Sequence, residues 1–437
     1  MAAQDSTISI APAAPAIQDR WLADTLAAKL GRPYIHILFG ARQTGKSTLL
    51  KRLIPGDALF INLADPEERN RHIAQPGLLA RQCQSLPQRK TPQTVFIDEA
   101  QTVPSVFDAV QSLYDADKTR WRFILCGSSA RKLRQSGANL LPGRSILHHL
   151  EALTLTEQPP PQNPATATPP SSAQSPLPFA WQNATPKIPR RQFPAWDIED
   201  RLAYGALPGI VTAAEEDRAD LLQTYSTVFL EEEIRREALV KDYGGFLRFL
   251  QLAAQESGQV TNYAAISRDA GISVPTVKSH YQLLEDMFVG FAVPAFSGSA
   301  RRKLLSAPRF FFFDLGVRNA AAGLTPGLDT AKAQAGPLFE QWVGIELWKR
   351  LRYLRKGNLS HMRTLDGAEV DFVVETGNRF IPIEVKWTTR PSLTDARHLT
   401  TFLREHPAKA EHGWVVCRCP RPEALSENIT AIPWWML

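Results

Sequence analysis

"GARQTGKSTLL", residues 40–50, decides how the first third of the chain is read. Gly40, Gly45, Lys46 and Ser47 stand at the spacing G-x-x-x-x-G-K-[ST]. At this spacing successive backbone N–H groups turn inward around a concavity that suits phosphate, because glycine tolerates the dihedrals the turn needs. Gly40, Ala41, Arg42, Gln43, Thr44, Gly45, Lys46, Ser47 and Thr48 are therefore the candidate nucleotide-binding loop. Lys46 would reach the β- and γ-phosphate oxygens, and the Ser47 hydroxyl would ligate Mg²⁺. A helix starting here adds its positive N-terminal dipole. The expected cofactors are ATP and Mg²⁺.

The flanks supply the context such a loop requires. "YIHILFG" ahead of it reads as a buried strand, and "KSTLLKRLI" behind it as a helix. "WLADTLAAKLG" at 21–31 has amphipathic helical spacing, and "TVFIDEA" at 94–100 and "WRFILCGSS" at 121–129 read as further strands. Strands alternating with helices predict an α/β domain with a mainly parallel sheet. "VFIDEAQ" adds two acids at a strand end: Asp98 would hold the magnesium, and Glu99 would polarise the attacking water, so hydrolysis is expected rather than binding alone. Ser128 or Ser129, after the next strand, would sit beside the γ-phosphate. Arg144 in "LLPGRS" is a candidate arginine finger, acting within the chain or from a neighbouring subunit.

These stretches also carry a resemblance. "GARQTGKSTLL", "VFIDEAQ", "CGSSARKL" and "LPGRS", in this order, followed by "LAYGALPGI", "RFFFFDLGVRNA", "FEQWVGIEL", "EVDFVVE" and "IPIEVKW", are similar to the bacterial and archaeal AAA-type ATPases with a C-terminal domain of unknown function. The resemblance covers nearly the whole chain outside the N-terminal tail and a Pro-rich insert. It implies an ASCE-class P-loop ATPase fold, then a helical and winged-helix section, then a restriction-endonuclease-like α/β end module.

The chain of 437 residues is long enough for about three domains. Eleven of its 33 prolines lie between Pro159 and Pro194, a stretch too poor in apolar side chains to offset the entropy of ordering it. The expected organisation is a flexible tail at 1–20, the ATPase domain at 21–157, the insert at 158–196, the helical and winged-helix domain at 197–325, and the end module at 326–437. Four cysteines make no disulfide framework or zinc set and read as reduced thiols. No apolar run is long enough for a membrane span, and residues 1–18 lack a secretory pattern, so a cytoplasmic protein without membrane contact is expected. The formal net charge of +6 makes nucleic acid a plausible partner, against the plainer reading of a solvated basic surface.

Residues 262–290 have the plan of a helix-turn-helix, with Ser273 and Pro275 opening the second helix. Thr276, Lys278, Ser279 and His280 are expected on or near its exposed face, within reach of DNA phosphates or base edges, and Arg301, Arg302 and Lys303 at the tip of a wing between "GFAVPAF" and "PRFFFFD". A protein-interaction module or a rigid spacer is the alternative for this section. In the end module, Asp371, Glu384 and Lys386, with an acid from the preceding helix, look like a PD-(D/E)xK arrangement that would gather Mg²⁺ against a phosphodiester. The helix acid is Glu340 or Glu346, and a fold that has lost cleavage is the alternative. The function expected is a DNA-processing ATPase, assembled as a ring or other homo-oligomer if Arg144 works in trans. Its rival is a nucleotide-switched regulatory or scaffold protein that binds a protein partner, and a third reading is an ATP-gated nuclease.

Overall fold

The computed structural model describes residues 19–129, 143–161, 192–230, 242–297, 307–363 and 369–437. The first unit is a five-stranded, wholly parallel sheet built from Ile35–Phe39 (β1), Leu59–Asn62 (β2), Gln93–Asp98 (β3), Trp121–Gly127 (β4) and Ser145–His149 (β5), in the order β2-β3-β4-β1-β5. Strands covered on both faces read as continuous apolar runs, as β1 and β3 do. Alternate residues then serve opposite cores. Ile35, Ile37, Phe39, Val95, Ile97, Phe123 and Leu125 face one, and Leu38, Phe96, Ile124 and Cys126 the other. Helix Leu22–Leu30 (α1) closes the second core with Leu22, Leu26 and Leu30, joined by Leu49 and Leu50 of Lys46–Leu53 (α2). Pro66–Ala74 (α3) and Leu78–Gln84 (α4) follow β2, and Ser105–Ala116 (α5) buries Val106, Phe107, Val110, Leu113 and Tyr114 on the first core.

Two of the five strands escape the sequence pattern for visible reasons. The edge strand β2 is short and only Ile61 is fully buried, while β5 carries two histidines in five residues. Arg20, expected in the flexible tail, is buried. Both described ends of the Pro-rich insert are also packed: Gln158 is buried and its carbonyl accepts from Arg201 Nη2 at 2.6 Å, and Phe193 and Trp196 join the core. The acidic-basic run at 231–237 lies outside the described residues.

The middle unit contains Ile198–Tyr204 (α6), Glu215–Thr224 (α7), a π-helical turn at Tyr225–Leu230, Tyr243–Gln255 (α8), Tyr263–Ala270 (α9) and Val274–Asp286 (α10). Gly271, at φ +69°, ends α9, and Ser273 caps α10 by accepting from Thr276 N at 3.3 Å, with Pro275 in the first turn. Gly290–Val293 (β6) pairs antiparallel with Arg309–Phe312 (β7), and Leu315–Ala321 (α11) follows. One expectation fails here. His280 points inward, with its ring 5.0 Å from Phe246 and 5.1 Å from Phe249, because residue 280 lies three positions after the core residue Val277 on the same helical face.

The last unit opens with the 20-residue helix Ala335–Leu354 (α12). Its sheet has the order β12-β13-β11-β10-β9-β8, from Asn358–Arg363 (β8), Glu369–Thr376 (β9), Arg379–Val385 (β10), Gly413–Cys417 (β11), Glu423–Ser426 (β12) and Ile429–Pro433 (β13). Strands β8, β9 and β10 form an antiparallel meander, whereas β10, β11 and β13 run parallel. Phe339 and Val343 of α12 share a core with Phe372 and Ile383, while Arg397–Glu405 (α13) packs Leu399 and Phe402 on the opposite face. Trp434 lies edge-on to Trp342 at 5.4 Å, so the C-terminal tryptophans close this unit. All four cysteines are free and buried. Among the described residues no helix is long and apolar enough to cross a membrane.

Candidate nucleotide site

The loop between β1 and α2 is held in shape by contacts only glycine permits at two positions. A Cβ on Gly40 would lie 2.2 Å from the Leu150 carbonyl oxygen, and Gly45 adopts φ +89° as the residue before α2. Thr44 Oγ1 donates to the Ala41 carbonyl at 2.9 Å. The Lys46 ammonium donates to the Gly40 and Ala41 carbonyls at 2.9 and 2.8 Å, curled over the loop whose phosphates it is expected to meet. Gln43 and Thr48 are exposed, and Arg42, Gly45 and Ser47 half-buried.

The two acids arrive from β3, separated from β1 by β4. Asp98 is buried at the strand end and its Oδ1 accepts from Glu99 N at 3.1 Å. Glu99 takes a left-handed backbone, φ +53°, which turns its side chain off the strand path. Glu99 Oε2 accepts from Gln101 Nε2 at 2.6 Å and from Ser128 Oγ at 3.2 Å, and Gln101 Nε2 also donates to Ser128 Oγ at 3.1 Å. Ser128 and its neighbour Ser129 are both buried after β4. Burial pushes the Cys126 thiol well above its usual value, with Lys46 opposing and Asp98 and Glu99 adding to the rise. Cys126 lies on β4, between β1, which leads into the loop, and β3, whose end carries the two acids. Ser47 and Asp98 offer the hard oxygen donors that suit Mg²⁺.

Sequence reading left Gln101 and Cys126 without roles. Gln101 was visible as the last letter of "VFIDEAQ", but its bond to Glu99 depends on a turn. Gly127 accommodates it: a Cβ there would lie 2.6 Å from Gln101 Oε1.

Arg144 is misplaced for action within the chain. Ile35 N donates to the Arg144 carbonyl at 3.0 Å, and β5 runs parallel to β1 from Ser145 opposite Ile35. Arg144 therefore stands at the start of the strands, about 17 Å from the ends that carry the loop. There it forms a half-exposed ion pair with Asp115 at 2.6 Å.

The C-terminal acids are held by separate partners. Val385 N donates to Asp371 Oδ2 at 2.8 Å, and the Lys386 ammonium lies 2.6 Å from Glu384 Oε1, while Glu384 Oε2 is buried without a hydrogen-bond partner. Arg309 pairs with Glu340 at 2.6 Å and with Glu369. Burial, then the charge of Asp371, pushes the Glu384 carboxyl up to about 8 and that of Glu340 up to about 7; burial also raises Asp371. Of the two helix acids left open by the sequence, Glu346 accepts from Leu155 N at 2.9 Å and Arg350 Nε at 2.8 Å, while Glu340 pairs with Arg309. Nevertheless, among the described residues no three His, Cys, Asp or Glu side chains stand together closely enough to hold a metal ion. Arg309 was missed because it comes from β7 in the middle unit; Glu369 stands on β9 two residues before Asp371, and only its pairing with Arg309 gives it a role.

On α10, Lys278 and Ser279 are exposed and Thr276 half-buried; the Lys278 ammonium lies 5.3 Å over the Tyr263 ring. Arg301, Arg302 and Lys303 lie outside the described residues.

Residues 32–158 match the AAA domain family, residues 195–327 a domain of unknown function (DUF8612), and residues 335–437 another domain of unknown function (DUF4143). Uncharacterized proteins of Mycobacterium bovis and Mycobacterium tuberculosis are each 26% identical over 381 residues, covering 86% of this chain and 76% of the relative. Among solved structures, a DNA polymerase III gamma subunit-related protein of Thermotoga maritima is 12% identical, with TM-score 0.25, over 61% of this chain and 97% of its own. A signal transduction ATPase with numerous domains from Pyrococcus horikoshii, which has a tetratricopeptide repeat sensor, is 11% identical, with TM-score 0.24, over 78% and 48%. The P-loop geometry and the family match together identify residues 32–158 as an AAA-type nucleotide-binding domain, followed at the C-terminal end by a DUF4143 domain.

Proposed function

We propose that the protein is a Mg²⁺-dependent ATPase that binds and processes or remodels DNA through its C-terminal half. The observation that carries hydrolysis is Glu99, turned off the end of β3 by its left-handed backbone and held by Gln101 and Ser128, with Asp98 before it at the strand end. Glu99 would orient and polarise the attacking water, and Gln101 and Ser128 would keep its carboxylate aimed. Lys46 would leave the Gly40 and Ala41 carbonyls for the β- and γ-phosphate oxygens. Mg²⁺ held by Ser47 and Asp98 would neutralise phosphate charge.

DNA contact rests on the exposed Lys278 and Ser279 at the start of a helix-turn-helix second helix, with the β6–β7 ribbon as the wing. The end module is read as nuclease-like from Asp371 and Glu384 on adjacent strands with Lys386 directly after, Glu384 paired with Lys386 and Asp371 accepting from the neighbouring Val385 N. A ring or other oligomer would bring Arg144 to a neighbouring copy's nucleotide only if its ion pair with Asp115 opens.

A specific observation favours the rival, a nucleotide-switched regulatory protein that binds a protein partner and keeps an inactive nuclease-like fold. Glu384 is paired with Lys386 and Glu340 with Arg309, an arrangement that answers the acids' charge with cations already present. ATP turnover near physiological salt, measured with and without single-stranded, duplex and branched DNA and with Lys46→Ala as the blank, separates the two. Stimulation by one DNA form is expected; turnover indifferent to all three would favour the protein-partner switch.

A further inference from the structure

Arg20 stands just ahead of α1 and is 7% exposed, an unusual position for a guanidinium. Its Nη1 donates to the Thr44 carbonyl at 2.5 Å, Nη2 to the Glu151 carbonyl at 2.7 Å, and Nε to Glu157 Oε1 at 2.7 Å. Glu157 is wholly buried and also accepts from Trp21 N at 2.8 Å, Thr154 N at 2.7 Å and Thr154 Oγ1 at 3.0 Å. A buried charge pair is tolerated when further hydrogen bonds satisfy it, and here each Arg20 nitrogen donates one while the Glu157 oxygens accept four.

The bond to Thr44 has a directional consequence. In a trans peptide the C=O and the following N–H point in opposite directions. Drawing the Thr44 carbonyl outward toward Arg20 therefore turns the Gly45 N–H the other way, into the concavity of the loop. The Tyr225 hydroxyl, donating to the Arg42 carbonyl at 3.4 Å, does the same for the Gln43 N–H.

The segment that receives the other two bonds, residues 151–157, is gripped by the C-terminal module. Tyr353 Oη accepts from Glu151 N at 2.9 Å, Lys349 Nζ donates to the Leu153 carbonyl at 2.9 Å, and Glu346 Oε1 accepts from Leu155 N at 2.9 Å. Residues 346, 349 and 353 share one face of α12, so one helix face holds alternate peptides of this segment.

We infer that Arg20 is a positioning residue of the nucleotide loop, and that the Arg20–Glu157 pair couples phosphate occupancy of the loop to the segment held by α12. This rests on residues 40–48 being the ATP loop, as proposed above. Arg20→Lys keeps a cation beside Glu157 but cannot reach three acceptors at once. In the full-length protein this variant should remain folded, weaken ATP binding by about tenfold and raise the KM for ATP accordingly, with kcat at saturating ATP changed by less than about threefold. Glu157→Gln should weaken ATP binding less than Arg20→Lys. ATP added to the unmutated protein should also change amide hydrogen exchange in 151–157 and in α12.

Folded Arg20→Lys that binds ATP as well as the unmutated protein would overturn the positioning role. Exchange that changes in residues 40–48 but not in 151–157 would overturn the coupling, and this measurement needs no variant. Failure of the unmutated protein to bind ATP at all would instead remove the reading of the loop itself, and the inference with it.

Discussion

Among the described residues, acids are held at the end of β3, separated by β4 from the strand that leads into the loop, and on the C-terminal sheet beside Lys386, and the two places are built differently. At the end of β3 the carboxylates of Asp98 and Glu99 are held by neutral donors, a backbone N–H, an amide and a hydroxyl, and the Lys46 ammonium rests on carbonyls. At the C-terminal sheet Glu384 is held by Lys386, and Glu340 and Glu369 by Arg309, while Asp371 accepts from the backbone N–H of Val385. Neutral partners orient a charge without cancelling it, so the first site keeps its field for an incoming ligand. Cationic partners cancel it, and burial then shifts Glu340 and Glu384 toward their protonated forms. The first place is organised for a charged ligand as it stands, whereas a metal at the second would have to displace cations or protons.

The sharpest way to break this contrast is Lys46→Ala, for which ATP turnover is expected to fall by about a thousandfold or more. Next comes Glu99→Gln, which should cut turnover by about a hundredfold or more while leaving ATP affinity close to that of the unmutated protein. Nucleotide binding read by titration beside a phosphate-release assay separates the two. If Glu99→Gln turned over normally, the neutral cradle around it would have no catalytic purpose.

The C-terminal acids are tested through stability. Glu340 and Glu384 bind protons more tightly in the folded chain than in the unfolded one, because their folded values are raised. The stability they contribute is present below about 4.5, the ordinary value, and is lost as pH rises through about 7 to 8. Glu384→Gln should therefore flatten the fall in melting temperature between pH 5 and 9 by several degrees, and leave ATP turnover unchanged. A melting curve as steep as that of the unmutated protein would mean that Lys386 compensates the carboxylate fully. For the DNA reading, Lys278→Ala should weaken binding a few-fold and lower the salt slope by about one. Arg144→Ala is expected to change least, since its ion pair with Asp115 is half-exposed and far from the loop. A large loss of turnover in that variant would instead point to action between copies.

How far the sequence could be read depended on the range of the interaction. The P-loop, Asp98 at a strand end and the Ser273 cap are all local, each decided by a few consecutive residues and the dihedrals they allow. The sequence by itself therefore determined the parallel-sheet class, the nucleotide loop and its acids, and the pairing of "GFAVPAF" with "PRFFFFD". What tertiary structure decided is what depends on residues far apart meeting. Arg20 and Glu157 are 137 positions apart, and a buried charge pair has no signature in either neighbourhood. The engagement of Glu346 turned on Leu155, from another unit. The inward turn of His280 turned on Phe246 and Phe249 of a neighbouring helix. Arg144 came to lie at the wrong end of the sheet because β5 pairs with β1 in parallel, and strand direction is a property of the pair rather than of either strand's sequence.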